Sequence, residues 1–296
     1  MIPLKRRHRI ALAGQVNNEV TGDAIAQATV KIIQAPDAFI QRLILKTRLY
    51  GLPRSFTRPG WSNPSFPQAL TDPNLTLGEK FPILQQLFDH LDQKHNNPSA
   101  HVIPDRTKTA PDGWFYFTDL PPGFYQLEAS LPRAKLRYST ASLTVELDDP
   151  PLNNQPARNS PFSDKLNLKL WIKPTTLLGK IVDAENQESI DLATVKINQS
   201  EDPTLRFETI SFKANGFKIN GSKVNGSKST SSRSIRPQTI ENYDLGDWNY
   251  CLSDFEPQDP VTTVTVSAQG YISQTQNIPI QTGEIKKLNF QLHAQR

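Results

Sequence analysis

The chain has 296 residues, with 33 lysines and arginines against 29 aspartates and glutamates, so its net charge is +4 when the histidines are neutral. Cys251 is the only cysteine, which excludes an intramolecular disulfide and any zinc site built from several cysteines. The chain contains 24 prolines against 14 glycines and has few long helical patterns. This favours a turn-rich, all-β chain, and the length suggests two domains. The isoelectric point near 9.0 permits contact with an anionic surface but does not require nucleic acid.

The first residues are basic: Lys5, Arg6, Arg7 and Arg9. Such an arm would gain about 1 kcal/mol per basic residue close to anionic lipid, and the alternative is a frayed, solvated terminus. The apolar run that follows is too short for the h-region of a signal peptide, and no stretch is long enough to span a bilayer. We therefore expect a cytoplasmic protein, with peripheral membrane contact as a possible addition.

An internal repeat predicts the domain organisation. Leu12–Ile32 aligns without gaps with Leu177–Ile197, and both copies end in the run Ala-Thr-Val-Lys-Ile. The alternating segments Leu166–Ile172 and Leu288–Leu292 are predicted as the closing strands of the two copies. The sequence thus predicts two tandem domains, 1–173 and 174–296, each an antiparallel β-sandwich.

Each copy is predicted to carry a long insertion after this Ala-Thr-Val-Lys-Ile strand, at about residues 34–110 and 198–245. The first contains a helix from Pro82 to Lys94 with an apolar stripe, and a second candidate helix spans Phe39–Leu49. The second insertion is a Lys/Asn/Gly/Ser-rich repeat that cannot bury enough surface to fold alone. The candidate partner-binding residues either contact another chain or fix the insertion to its own sandwich. They are Trp61, Phe66, Leu84, Leu87, Phe88 and Leu91.

The most informative stretch runs from Asp112 to Leu127. Asp112-Gly113 predicts a tight turn before an aromatic strand, and Pro122-Gly123 predicts a type II turn. In the second copy, Gly246-Asp247-Trp248 is expected to replace Asp112-Gly113-Trp114. The residues predicted to define the fold are Gly14, Asp112, Gly113, Pro122, Gly123, Tyr125 and Gly179.

These motifs resemble carboxypeptidase regulatory-like domains. The resemblance covers roughly half the chain. It implies that each copy is a non-catalytic, transthyretin-like or Ig-like β-sandwich, and it leaves the function open. The segments Asp105–Gly113 and Glu128–Pro132, with Arg137-Tyr138, resemble accessory proteins of phage-tail-like contractile injection particles. That likeness implies a structural subunit at a baseplate, cap or anchoring point of a particle assembled in the cytoplasm.

No pattern of a catalytic site is present in the sequence. His90 and His95 are five apart, a poor spacing for one helix face, and the acidic residues between Glu241 and Asp259 lack the ligand spacing of an EF-hand. Lys180 and Asn289 lie in the first and last strands, a placement that resembles the lysine–asparagine isopeptide crosslink of related adhesin sandwiches. The first copy has Gln15 and Asn167 at these places and so does not keep the pair.

We therefore predict a non-enzymatic structural or docking subunit of a larger assembly. Its predicted partners are other protein subunits, with possible membrane contact. No catalytic residue, metal, cofactor, nucleic acid or small-molecule substrate is expected. The alternatives are a carbohydrate- or surface-binding adhesin module, which would need export, and an enzyme with an unrecognised site in the first insertion.

Overall fold

The computed structural model describes residues 10–49, 66–94, 103–132, 134, 136–148, 167–197, 207–211 and 248–295. The helices are α1 (Asp37–Leu49), α2 (Phe66–Thr71) and α3 (Leu77–Lys94). The strands are β1 (Ile10–Asn18), β2 (Thr29–Gln34), β3 (Arg106–Lys108), β4 (Trp114–Thr118), β5 (Gly123–Ser130), β6 (Ala141–Leu147), β7 (Leu168–Ile172), β8 (Thr176–Gly179), β9 (Ile181–Asp183), β10 (Thr194–Ile197), β11 (Phe207–Ile210), β12 (Tyr250–Ser253), β13 (Thr262–Ser267), β14 (Gln274–Ile278), β15 (Ile285–Lys287) and β16 (Phe290–Leu292).

The two copies have the same sheet topology. The first forms sheets in the order β4-β1-β7 and β3-β2-β5-β6. The second forms β12-β8-β15, extended by the pair β16-β9, together with β11-β10-β13-β14. Alternation buries one side of β4, where Phe115 and Phe117 point into the core, whereas β8 of the second copy is buried at all four of its residues. The predicted all-β fold, two β-sandwiches with a partly helical insertion in the first, is confirmed.

The pairing of the first strand with the last departs from the antiparallel pattern. In the second copy β15 pairs with β8, and β16 with β9, in parallel. The last strand enters this sheet from β14 in the opposite sheet, so it returns by a crossover and not by a hairpin.

Gly14 and Gly179 lie where the last strand passes closest to the first. A Cβ atom at Gly14 would lie 2.5 Å from the carbonyl oxygen of Leu168, and one at Gly179 would lie still closer to that of Leu288. Neither contact leaves room for any side chain. The role predicted for these glycines therefore has a steric cause that is the same in both copies.

The copies also share three backbone positions with positive φ. They are Gly22 and Gln187 (73° and 60°), Gln27 and Leu192 (59° and 57°), and Asp119 and Asp254 (55° and 65°). A non-glycine residue seldom adopts a positive φ. The recurrence of positive φ at aligned positions therefore supports a duplicated backbone.

A buried hydroxyl binds the connection that precedes β2 in the first copy and the connection that precedes β10 in the second. The hydroxyl of Thr109 accepts a hydrogen bond from Ala28 N and donates one to Ile25 O. In the second copy the hydroxyl of Ser211 makes the same two bonds to the residues that align with these, Ala193 and Ile190.

The contacts divide the chain into two compact units. The first comprises residues 1–16, 25–129 and 142–170, and the second comprises residues 17–24, 130–141 and 171–296. Two short segments that precede the second copy in sequence thus belong to the second unit. In the segment 130–141, Ser139 N donates to Lys173 O, and Arg137 O accepts from Thr175 N. The predicted boundary at residues 173 and 174 stays a prediction.

The helical insertion of the first copy begins differently from the prediction. Helix α3 starts at Leu77, five residues before the predicted start at Pro82, because Thr76 and Glu79 form a capping box. Thr76 N donates to the Glu79 carboxylate over 2.8 Å, and Glu79 N donates to the Thr76 hydroxyl over 3.2 Å. The Thr76 hydroxyl also donates to the Glu79 carboxylate over 2.7 Å, and this bond, followed by the bond from Thr76 N, lowers the pKa of Glu79. The motif Thr-x-x-Glu was present in the sequence and was missed.

The second copy departs from the predicted alignment. Strand β11 lies inside the predicted insertion 198–245 and pairs with β10, as β3 lies inside the predicted insertion 34–110 and pairs with β2. The aromatic strand is also shifted by one residue from the predicted alignment. Gly14 pairs with Phe115 and Gly179 pairs with Tyr250, so Trp248 takes the place of Gly113 and not of Trp114.

The turn before β5 is not the predicted type II turn. Gly123 has φ of 130°, far from the value near 80° of the third residue of that turn. A Cβ there would meet Pro36 at 2.7 Å, so a glycine is still required. Tyr125 lies fully buried, and its hydroxyl donates to Pro121 O over 2.7 Å.

We predict that Gly14→Ala lowers the free energy of unfolding by about 1–3 kcal/mol, because the new methyl group overlaps the Leu168 carbonyl. Urea denaturation measures this loss. Gly78→Ala is the matched control: the nearest atom to its Cβ is the Thr76 hydroxyl at 3.9 Å, and alanine is the better helix former. Equal stability of Gly14→Ala and the parent chain would contradict the steric account.

Candidate functional site

Strand β4 exposes two aromatic side chains on the outer side of its sheet. Trp114 is 38% exposed and Tyr116 is 60% exposed. Both belong to antiparallel pairs with β1, Trp114 opposite Gln15 and Tyr116 opposite Ala13. Paired residues point to the same side of a sheet, so these four side chains form one surface, called the aromatic face below.

Local structure fixes the start of this face. The Asp112 carboxylate accepts a hydrogen bond from Trp114 N over 3.1 Å, and Gly113 takes φ of 78°. The Gln15 amide donates to Asp112 O over 2.8 Å, which ties the turn back to β1. The predicted Asp-Gly turn therefore sets where Trp114 enters the strand.

The equivalent face of the second copy is buried. Leu178 and Cys251 form the cross-strand pair that corresponds to Ala13 and Tyr116. Val20, only 1% exposed, packs on both, and Trp248 and Ile285 pack around the cluster. Burial raises the pKa of the Cys251 thiol to about 12, so the thiol stays protonated at neutral pH.

The segment that covers this second face is a compact loop, residues 17–24. The Asn18 side-chain oxygen accepts hydrogen bonds from Val20 N and Thr21 N, and Asn18 N donates to Asp23 O. These three bonds are made within the loop, and its apolar tip, Val20, packs on Leu178 and Cys251. The aromatic face has the same position in its sandwich, but its side chains remain exposed.

The predicted helix stripe lies in the protein interior. Leu84, Leu87 and Phe88 are buried on α3, which contacts α1 and α2. On α1, Phe39 packs edge-on against Phe81 and Tyr125, with ring centroids 6.3 and 5.7 Å away. The prediction that these three α3 residues bind a partner is therefore wrong, because they build the core between the insertion and its own sandwich.

Other predicted site residues cannot be placed on any surface. The side chains of Trp61, Phe66 and Leu91, and the basic residues Lys5, Arg6, Arg7 and Arg9, lie outside the described residues.

A charge cluster fastens α3 to the strands of the first unit. The Arg106 guanidinium binds both carboxylate oxygens of the buried Asp105, at 3.0 and 3.2 Å, and one oxygen of Asp89 on α3 at 2.5 Å. Lys31 lies 3.5 Å from the other Asp89 oxygen. Desolvation raises the pKa of Asp105, and Arg106 opposes this rise. Each member of the cluster has a structural partner, so the cluster serves packing.

The described residues contain no group of three or more histidine, cysteine or acidic side chains that could hold a metal ion. The Lys180–Asn289 pair, considered for a crosslink, makes a different contact: the Asn289 side-chain oxygen accepts from Lys180 N over 2.9 Å. Of the helices in the described part of the chain, none combines the length and apolar character needed to cross a membrane.

Comparisons with known proteins give only weak likenesses. No family model matches the chain, and no curated protein matches it. Among solved structures, the chain is similar to the shaft pilin SpaA from Lactobacillus rhamnosus GG, with 11% identity, a TM-score of 0.32 and coverage of 98% of this chain and 99% of the pilin. The chain is also similar to the streptococcal ancillary pilin, with 10% identity, a TM-score of 0.26 and coverage of 96% of this chain and 61% of the pilin. For GBS52, the minor pilin of Streptococcus agalactiae, the identity is 10%, the TM-score is 0.23, and the coverage is 96% of this chain and 97% of the pilin. At these scores the likenesses carry no argument about function.

The aromatic face could have been found from the sequence. Strand alternation places Trp114 and Tyr116 on one side and Phe115 and Phe117 on the other. The exposed pair was not singled out in the sequence, because the aromatic run was treated as one strand without assigning its two sides.

We predict that Val20→Ala makes Cys251 react about tenfold faster with a thiol reagent in the native state, because the loop no longer covers the thiol. The rate is read directly, since Cys251 is the only cysteine. Val261→Ala, at a valine that is 38% exposed, is the control and should not change the rate. Equal rates for Val20→Ala and the parent chain would show that the loop is not the cover.

Proposed function

We propose that the chain is a non-enzymatic structural subunit that binds another protein subunit on its aromatic face. One observation carries the proposal: the equivalent surface of the second copy is buried under an apolar loop tip, whereas Trp114 and Tyr116 are exposed. Tryptophan and tyrosine supply a large share of the binding energy at protein interfaces. The two side chains lie side by side on a rigid sheet, and their contact with water costs free energy that a binding partner would remove by covering them.

The geometry of the second copy indicates the kind of partner. There the covering element is a loop whose polar groups bond mainly among themselves and whose apolar tip meets the sheet. We expect the partner to present a similar loop with an apolar residue at its tip. The four side chains of the aromatic face include no charged group, which favours such an apolar contact over an anionic ligand.

The finer assignment rests on sequence resemblance. The segments around Asp105–Gly113 and Glu128–Pro132 suggest an accessory subunit of a phage-tail-like contractile particle, assembled in the cytoplasm, with possible peripheral membrane contact through the basic residues at Lys5–Arg9. In this form the partners are baseplate, cap or anchoring subunits.

A second candidate function rests on the same aromatic pair. Aromatic rings on a flat sheet also stack on the apolar faces of sugar rings, so Trp114 and Tyr116 suit a carbohydrate-binding adhesin module. This function requires the mature protein to lie outside the cell.

The deciding experiment places a photo-crosslinking amino acid at Tyr116 in cells that carry the gene, with Thr144 as the control. Thr144 is exposed on β6, an edge strand of the other sheet of the first copy. We expect a crosslink from position 116 alone, mapping to an apolar residue at a loop tip of another subunit within a sedimenting particle. A sheath or baseplate partner would support the contractile assembly.

The matching substitution is Tyr116→Lys. Because Tyr116 is exposed, stability should change by less than about 0.5 kcal/mol, while the chain should leave the particle fraction. Thr144→Lys should remain in that fraction. A chain that migrates as a free monomer in native extracts, or crosslinks that are equal at the two positions, would reject the docking function. Recovery outside the cell, bound to polysaccharide, would select the adhesin function.

A further inference from the structure

Leu192 is unusual in both its solvent exposure and its backbone conformation. It is 72% exposed, and its backbone has φ of 57°, a conformation that a leucine rarely adopts. Leu192 N donates to Ser211 O, which places it beside the end of β11. There Ile210 is 57% exposed. Strained backbone and exposed apolar side chains persist at binding sites, where contact with another molecule offsets their cost in free energy.

The first copy provides a comparison at the same backbone positions. Gln27 has φ of 59° and donates from its backbone to Thr109 O, as Leu192 does to Ser211 O. Lys108 pairs with Thr29, just as Ile210 pairs with Thr194. The fold therefore accepts a polar pair, Gln27 and Lys108, at this position. The apolar pair Leu192 and Ile210 in the second copy is not a requirement of the backbone.

Strand β11 is also an edge strand. It ends the order β11-β10-β13-β14, and no strand pairs with its other side among the described residues. Proteins commonly protect such edges with lysine or other charges. The corresponding strand of the first copy, β3, carries Arg106 and Lys108. Strand β11 has a single charged residue, Glu208, which lies 3.6 Å from Lys196 of the same sheet.

We propose that this edge is a self-association site, at which a second molecule of the same chain binds through Leu192 and Ile210. A two-fold contact brings the same patch of both molecules together, so the patch must be self-complementary. An apolar patch meets this condition by its nature, whereas a strongly charged one does not. Because the Glu208 carboxylate is paired internally, two molecules can approach without a net like-charge repulsion.

A two-fold axis at this edge sets the two β11 strands antiparallel. A contact at the Ile210 end of the strand brings the two Ile210 side chains together, with Leu192 beside them on each molecule. Asp191 lies at the rim, where its carboxylate accepts from Leu192 N.

Sedimentation equilibrium of the full chain tests the proposal. We expect a reversible dimer to form below about 1 mM, since a small apolar contact gives modest affinity. The double variant Leu192→Gln with Ile210→Lys introduces the residues of the first copy and should weaken the dimer at least about tenfold. Ile272→Gln removes an isoleucine of similar exposure, 56%, and should leave the dimer unchanged. A parent chain that stays monomeric to about 1 mM, or a dimer that the double variant does not weaken, would overturn the proposal.

Ile210→Cys provides a second readout that does not depend on affinity. Cys251 is buried, so the variant has one exposed thiol. Mild oxidation should give a disulfide-linked dimer for Ile210→Cys and much less for Ile272→Cys. Equal yields would overturn the proposed contact. Tyr116→Lys should leave self-association intact, so a failure of this site and a failure of docking on the aromatic face are distinguishable.

Discussion

The fold depends on a steric constraint between the first and last strands of each copy. The backbone of the last strand passes so close to Gly14 in one copy, and to Gly179 in the other, that no Cβ atom fits. In the second copy this approach brings the last strand beside the first in parallel. The sheet is thereby completed, and its outer side becomes the surface on which either a covering loop or a partner can lie.

Duplication explains which features are shared and which are not. The backbone keeps its unusual positions, including the left-handed residues Gln27 and Leu192 and the buried hydroxyls of Thr109 and Ser211. The outward side chains are not required for this backbone and differ between the copies. Features that both copies share thus report on the fold. Features that differ, such as exposed tyrosine against buried Cys251, report on what each surface contacts.

Much of the fold could be predicted from the sequence. Alternation and the repeated Ala-Thr-Val-Lys-Ile run indicated the strands, and the two predicted glycines Gly14 and Gly179 lie where a Cβ atom would meet the last strand. The start of α3 was missed because Pro82 was taken as the first turn, although the Thr76–Glu79 capping box precedes it. The site was harder to predict. An apolar stripe such as Leu84, Leu87 and Phe88 has the same pattern whether it meets its own domain or a partner, and only packing distinguishes the two.

The central claim is that the aromatic face is covered when the protein is in its assembly. Oxidative footprinting of the free chain and of the isolated particle measures this directly, with Tyr125 as an internal reference because it is buried by its own domain. The account predicts that Trp114 and Tyr116 are oxidised readily in the free chain and are protected in the particle, while Tyr125 is unreactive in both. Equal oxidation of Tyr116 in the free chain and in the particle would contradict it.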